Sequence, residues 1–102
     1  MIMLCNIVGP RLEADKKLEE SRMVKAGTTL TQLFTYYGVP MPSISWNLDS
    51  HPVDSLLITT KSDTTSLTAK DCTFKNAGKY EITATNVVGT DSVQFIIVVS
   101  GL

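Results

Sequence analysis

The sequence predicts an all-β fold, and three observations carry that reading. Thirteen Thr, nine Val and seven Ile supply β-branched side chains, which lose rotamer freedom in helices but pack well on pleated sheets. Short runs with period-two alternation recur between turn signals. The 102 residues suit one domain with a single core. Strands at this spacing fit a sandwich or a barrel.

Taken in order, the chain opens on Met-Ile-Met-Leu-Cys-Asn-Ile-Val-Gly. This stretch lacks the basic start and the roughly 15–30 residue length of a signal peptide, so residues 1–9 read as a linker or leader ahead of one domain over 10–102. Leu12 to Met23 is rich in helix formers, with Glu13 and Lys17 spaced for an i,i+4 pair. Its apolar residues Leu12, Ala14, Leu18 and Met23 make only a thin helical stripe. Residues 11–25 carry five basic and four acidic side chains, and an edge strand kept from aggregating by its charges is the simpler expectation. Strands are then expected at Leu30 to Tyr36, Ile44 to Leu48, Leu56 to Thr59, Ser66 to Thr68, Tyr80 to Thr85 and Val93 to Val99. Turns are expected at Gly38-Val39-Pro40-Met41-Pro42, Asp49-Ser50-His51-Pro52, Asn76-Ala77-Gly78 and Asn86-Val87-Val88-Gly89, where the residue types adopt turn dihedrals at low cost.

Several function classes fail on content. A net charge of -1 gives no excess of one sign to hold nucleic acid or an acidic membrane surface. The longest apolar runs, Met1 to Val8 and Val93 to Val99, fall short of the roughly 18 residues a membrane span needs. The six glycines are scattered and make no phosphate-cradling loop. His51 is the sole histidine, and with two distant cysteines it makes no four-ligand zinc site. The loop from Asp49 to Ser55 gathers a histidine, carboxylates and hydroxyls, but adjacent loop residues do not face one another as a catalytic triad requires. No catalytic, metal or cofactor site is expected. Cys5 and Cys72 leave two readings open: free thiols in a reducing compartment, or one bridge closing a long loop. The absence of an Asn-x-Ser/Thr sequon weighs mildly against an extracellular surface.

The informative features fall in a fixed order. Gly38-Val39-Pro40-Met41-Pro42-Ser43-Ile44-Ser45-Trp46 sets a proline-stiffened turn before a strand whose Ile44, Trp46 and Leu48 share a face. Thr65-Ser66-Leu67-Thr68-Ala69-Lys70-Asp71-Cys72 follows, then Asn76-Ala77-Gly78-Lys79-Tyr80-Glu81-Ile82, then Asn86 and Gly89 before the last strand. Together these resemble the immunoglobulin fold, a sandwich of two antiparallel sheets with Greek-key connections. Lys25-Ala26-Gly27-Thr28-Thr29-Leu30, Thr64-Thr65-Ser66-Leu67 and Ala84-Thr85-Asn86-Val87-Val88-Gly89 narrow the likeness. They are similar to segments of the intermediate set (I-set) of such domains, found in giant intracellular muscle proteins of the titin, twitchin and projectin kind.

The resemblance implies roles for particular residues. Trp46 takes the place of the buried tryptophan of the third strand, and Tyr80 that of the corner tyrosine. Phe34 and Ile82 stand where the two bridging cysteines would fall, so the core holds no disulfide. Leu30, Leu67 and Cys72 complete the expected core, with Gly38, Pro40, Gly78, Asn86 and Gly89 as turn residues. Asn76 replaces the family's aspartate, which keeps an acceptor and removes a charge. Gln32 falls inward by alternation and needs either partners or a shifted register. The implied function is a structural or docking module, monomeric in isolation, in the sarcomere of the cytoplasm. Its partners would be neighbouring immunoglobulin or fibronectin-type domains and other sarcomeric proteins. An extracellular adhesion module and a regulatory domain beside a muscle kinase are the alternatives.

Overall fold

The computed structural model describes residues 7–14 and 21–101, in which alternating side chains build nine strands. They are β1 (Val8–Ala14), β2 (Ser21–Lys25), β3 (Leu30–Val39), β4 (Ser43–Leu48), β5 (His51–Pro52), β6 (Ile58–Thr60), β7 (Thr64–Ala69), β8 (Gly78–Thr85) and β9 (Thr90–Ser100). One sheet has the order β1-β3-β7-β6 and the other β2-β9-β8-β4-β5. The pairs are antiparallel except β2 with β9, which runs parallel from Ser21 opposite Ile96 to Lys25 opposite Ser100.

The charged segment closes one side of the sandwich, with β1 on the edge of one sheet and β2 on the edge of the other. Its described ends are extended, so sheet pairing overrides helix propensity there. The middle of the helix-prone stretch, residues 15–20, lies outside the described residues. Both edges are tied across the gap between the sheets. The Leu12 N–H, on the strand edge of β1, donates to Asp91 Oδ2 of β9 at 2.9 Å. Arg22 Nη1 of β2 donates to Thr31 O and to Gln32 Oε1 of β3. The register therefore does not slip at Gln32: its side chain is buried and meets a cation from the opposite sheet's edge.

Three boundaries differ from the sequence reading. Val8 and Gly9 belong to β1 rather than to the leader, because Val8 pairs with Val39. Gly38 and Val39 extend β3 instead of turning, and Gly38 is no turn residue. Leu56 and Leu57 lie in a 3-10 turn (Ser55–Leu57) capped by Asp54, whose carboxylate accepts the Leu56 N–H, so the strand begins only at Ile58.

Four aromatic rings fill the space between the sheets. Phe34 meets Trp46 edge-on at 5.8 Å between centroids, and Tyr80 stacks on Phe95 at 5.1 Å. Leu30, Phe34, Leu67, Cys72, Tyr80 and Ile82 are fully buried, and Trp46 nearly so. Phe34 and Ile82, at the two positions where the family's bridge would sit, join this cluster by apolar burial.

Candidate functional site

The strands end in two poles, and these carry the exposed chemistry. The leading pole, where the chain enters, is assembled from the start of β1, the β3–β4 connection and the β8–β9 hairpin. Asn86 holds the three together. Its Nδ2 donates to Val8 O at 2.9 Å and to Pro40 O at 3.0 Å, while its Oδ1 accepts the N–H groups of Val88 and Gly89. The hairpin closes through Asn86 N–H to Gly89 O. Gly38 lies so close that a Cβ there would stand 2.7 Å from Pro42 Cγ and 3.2 Å from Asn86 Nδ2. Pro40 follows a cis peptide bond from Val39. Around this clasp Ile7, Val8, Val39, Met41, Val87 and Val88 are exposed.

The trailing pole is polar by contrast. Asp49 and Ser50 both take positive φ, as a two-residue hairpin of the I′ kind requires between β4 and β5. The Asp49 carboxylate accepts the Lys79 N–H at 2.9 Å and lies against Gly78, whose φ is +142°. Tyr80 donates its hydroxyl to Asn76 O at 2.6 Å, the corner bond the resemblance implies. Burial, with smaller contributions from Asp49 and Cys72, pushes the Tyr80 phenol up to about 12. Asn76 uses its retained acceptor on the Thr73 N–H, completing a capping box with Thr73. The Cys72 thiol donates to Lys25 O, and its backbone bonds to Gly27 and Thr28. Phe74 lies exposed beside Gly101, where the chain leaves.

The loop that gathers His51, Asp49 and Ser50 makes no proton relay. His51 Nδ1 pairs with the Asp49 backbone carbonyl at 2.9 Å, and the Asp49 carboxylate is turned onto the Lys79 backbone. Nearby, Asn47, Asp49, Ser50, Lys79, Glu81 and Gln94 line an open depression of about 420 Å³. Within it Gln94 Nε2 donates to Glu81 Oε2 at 2.7 Å, and the Asp49 carboxylate accepts the Lys79 N–H. Among the described residues no three metal-ligating side chains converge.

Three functional side chains escape the sequence reading. Thr65 is fully buried and accepts Trp46 Nε1–H at 2.8 Å while sharing a bond with Thr60. Extending the alternation back from Leu67 would have turned it inward. Tyr36 ties β3 to the β6–β7 hairpin, with its N–H on Asp63 O and its hydroxyl on Lys61 O. Asp91, which caps the β1 edge, carries no local signal at all.

Two facing sheets in this strand order, a core tryptophan and a tyrosine corner define an immunoglobulin-like sandwich. The immunoglobulin I-set domain model matches residues 12–99, and the chain belongs to that family. Titin of Drosophila melanogaster is 33% identical over 88 residues, covering 83% of this chain and 0% of titin to the nearest percent. Muscle M-line assembly protein unc-89 of Caenorhabditis elegans is 41% identical over 71 residues, or 65% of this chain and 1% of that protein. The chain thus spans a very small part of these relatives. Among solved structures, titin domains z1z2 in complex with telethonin match with a TM-score of 0.79 at 25% identity, covering 92% of this chain and 49% of that chain.

Proposed function

We propose that the chain is one non-catalytic link of a tandem immunoglobulin array in a sarcomeric protein, monomeric when isolated, bearing tension between neighbouring immunoglobulin or fibronectin-type domains. The parallel pairing of β2 with β9 carries this reading. β2 runs toward the trailing pole, where β9 ends, so pulling the two chain ends apart loads five residue pairs along the strands. Bonds loaded in this direction stretch together instead of opening one by one. The likeness to titin and unc-89 supports the sarcomeric part, and the telethonin complex of titin z1z2 is a precedent for docking by such domains.

Single-molecule pulling tests the mechanical reading. Ala26 N–H donates to Ser100 O, and the alternation of a parallel ladder then turns the Val24 N–H toward β9 and the Met23 N–H away from it. Val24→Pro removes a ladder donor, leaves an acceptor unpaired at about 1–3 kcal/mol, and should lower the unfolding force. Met23→Pro should leave the force near that of the unmodified chain. Equal forces in both variants would refute load-bearing by this strand pair. The sarcomeric reading is tested separately by the distribution of the tagged domain in striated muscle, where a diffuse signal from folded protein counts against an autonomous docking site.

A further inference from the structure

We infer that the outer face of the sheet that carries β9 docks an extended segment of another protein, in which an arginine is followed at alternate positions by two apolar residues. The inference goes beyond the array reading, which stands without it. β9 turns Phe95, Ile97 and Val99 into the core, so Gln94, Ile96 and Val98 stand outward in a line. Neighbouring strands widen that line into rows. Asn47 of β4, Glu81 of β8 and Gln94 form the first row, Lys79 and Ile96 the second, and Val98 with Met23 of β2 the third. The first row lines the open depression of about 420 Å³, together with Asp49, Ser50 and Lys79. The third is apolar and open: Met23 is 71% and Val98 41% exposed, and Ile96, 38% exposed, joins it to the depression. A polar socket thus runs into an apolar stripe on one face, the make-up of a protein-binding surface.

The charge of the socket selects its occupant. Asp49 and Glu81 set two carboxylates against the single ammonium of Lys79, so the socket favours a cation over a phosphate or a carboxylate. Glu81 gives Oε2 to Gln94, and Asp49 gives Oδ1 to the Lys79 N–H. That leaves Glu81 Oε1 and the side-chain carbonyls of Asn47 and Gln94 to accept from a ligand. Acceptors on three adjacent strands, about 4.8 Å apart, suit the planar fork of a guanidinium better than the point charge of a lysine. Residues two apart in an extended partner advance by about 6.8 Å, the same step that separates Gln94, Ile96 and Val98. An arginine in the socket therefore brings the next two alternate side chains onto Ile96 and onto the pair of Val98 and Met23. A second copy of this chain does not supply that arginine. Its two are Arg11, bonded to the Tyr37 hydroxyl, and Arg22, bonded to Thr31 O and Gln32 Oε1.

The test is a titration of the chain, followed by amide NMR, with a blocked peptide Arg-Thr-Val-Thr-Val and with the same peptide carrying Glu in place of Arg. The arginine peptide should shift the amides of residues 47, 81, 94, 96 and 98 to saturation, and the glutamate peptide should bind at least about tenfold more weakly. Glu81→Gln keeps the shape of the socket and removes its charge, and should weaken the arginine peptide by about fivefold or more. Lys79→Ala removes the competing cation and should tighten it. The Tm of each variant separates lost binding from lost folding, and because the two variants act in opposite directions, unfolding of one leaves the other to decide. No saturable shift in the unmodified chain, equal binding of the two peptides, or shifts confined to residues 96 and 98 and indifferent to Glu81→Gln would each overturn the inference and leave the array reading intact. A dimer of the chain alone that Glu81→Gln dissociates would assign the face to a second copy and overturn it as well.

Discussion

A single hydroxyl decides whether the core tryptophan is stabilising. Trp46 is 5% exposed, and its indole N–H has no access to bulk water. Thr65 Oγ1 accepts that N–H and is held in place by Thr60 Oγ1 at 2.9 Å. Thr65→Val keeps the shape but removes the acceptor, which should destabilise the fold by about 1–3 kcal/mol on chemical denaturation. Val is well accommodated in a strand, so propensity does not offset the loss. Thr60→Val touches only the outer member of the chain and should cost about 1 kcal/mol or less. Equal losses for the two variants would show that the indole bond contributes nothing of its own. Trp46 is legible from its apolar alternation, and alternation back from Leu67 turns Thr65 inward, but nothing local in the sequence shows that its hydroxyl meets an indole 19 residues away.

At the scale of elements, the sequence reading treated Gly38, Gly78 and Gly89 alike, and the fold separates them. Gly89 has open space around it and an ordinary φ. Gly78 has a φ of +142°, and a Cβ there would stand 2.5 Å from Asp49 Oδ2. Gly78→Ala therefore combines backbone strain with a collision, and should destabilise by about 1–3 kcal/mol. Gly89→Ala should change stability by about 0.5 kcal/mol or less. A thermal melt of both variants checks the contrast. Where hydrophobic alternation was strong, as in β3, β4, β8 and β9, strands were readable from the sequence to within a few residues. The 3-10 turn at Ser55–Leu57 was missed because Leu56 and Leu57 mimic a strand, while the Asp54 cap that diverts the backbone acts through a local hydrogen bond. The ends of β3 and β1 were misplaced for a different reason. Val8 pairs with Val39, and the Val8 carbonyl is fixed by Asn86, contacts between segments far apart in sequence. The uncharged leading pole was likewise invisible as a unit, since its three segments become neighbours only after folding.

At the scale of the whole molecule, Cys72 reports whether the trailing pole opens with the rest or by itself. Its side chain is 1% exposed, at the bottom of the β2–β3 connection. Gly27 N–H donates to Cys72 O at 2.8 Å and Cys72 N–H to Thr28 O at 2.9 Å, so reaching the thiol requires both bonds to break. These bonds adjoin the last residues of the β2–β9 ladder, where Ala26 N–H meets Ser100 O. The seal over the thiol and the strand pair proposed to carry load are therefore continuous. In a Cys5→Ser background, which leaves one thiol, modification of Cys72 should run about 1,000-fold or more slower than in the unfolded chain. Its rate should rise with denaturant along the slope of global unfolding, as for a group exposed only when the whole core opens. A rate insensitive to denaturant would reveal local fraying of the trailing pole. In that case the end of the β2–β9 ladder would already be open at rest, and tension would fall on the pairs nearer Ser21 and Ile96.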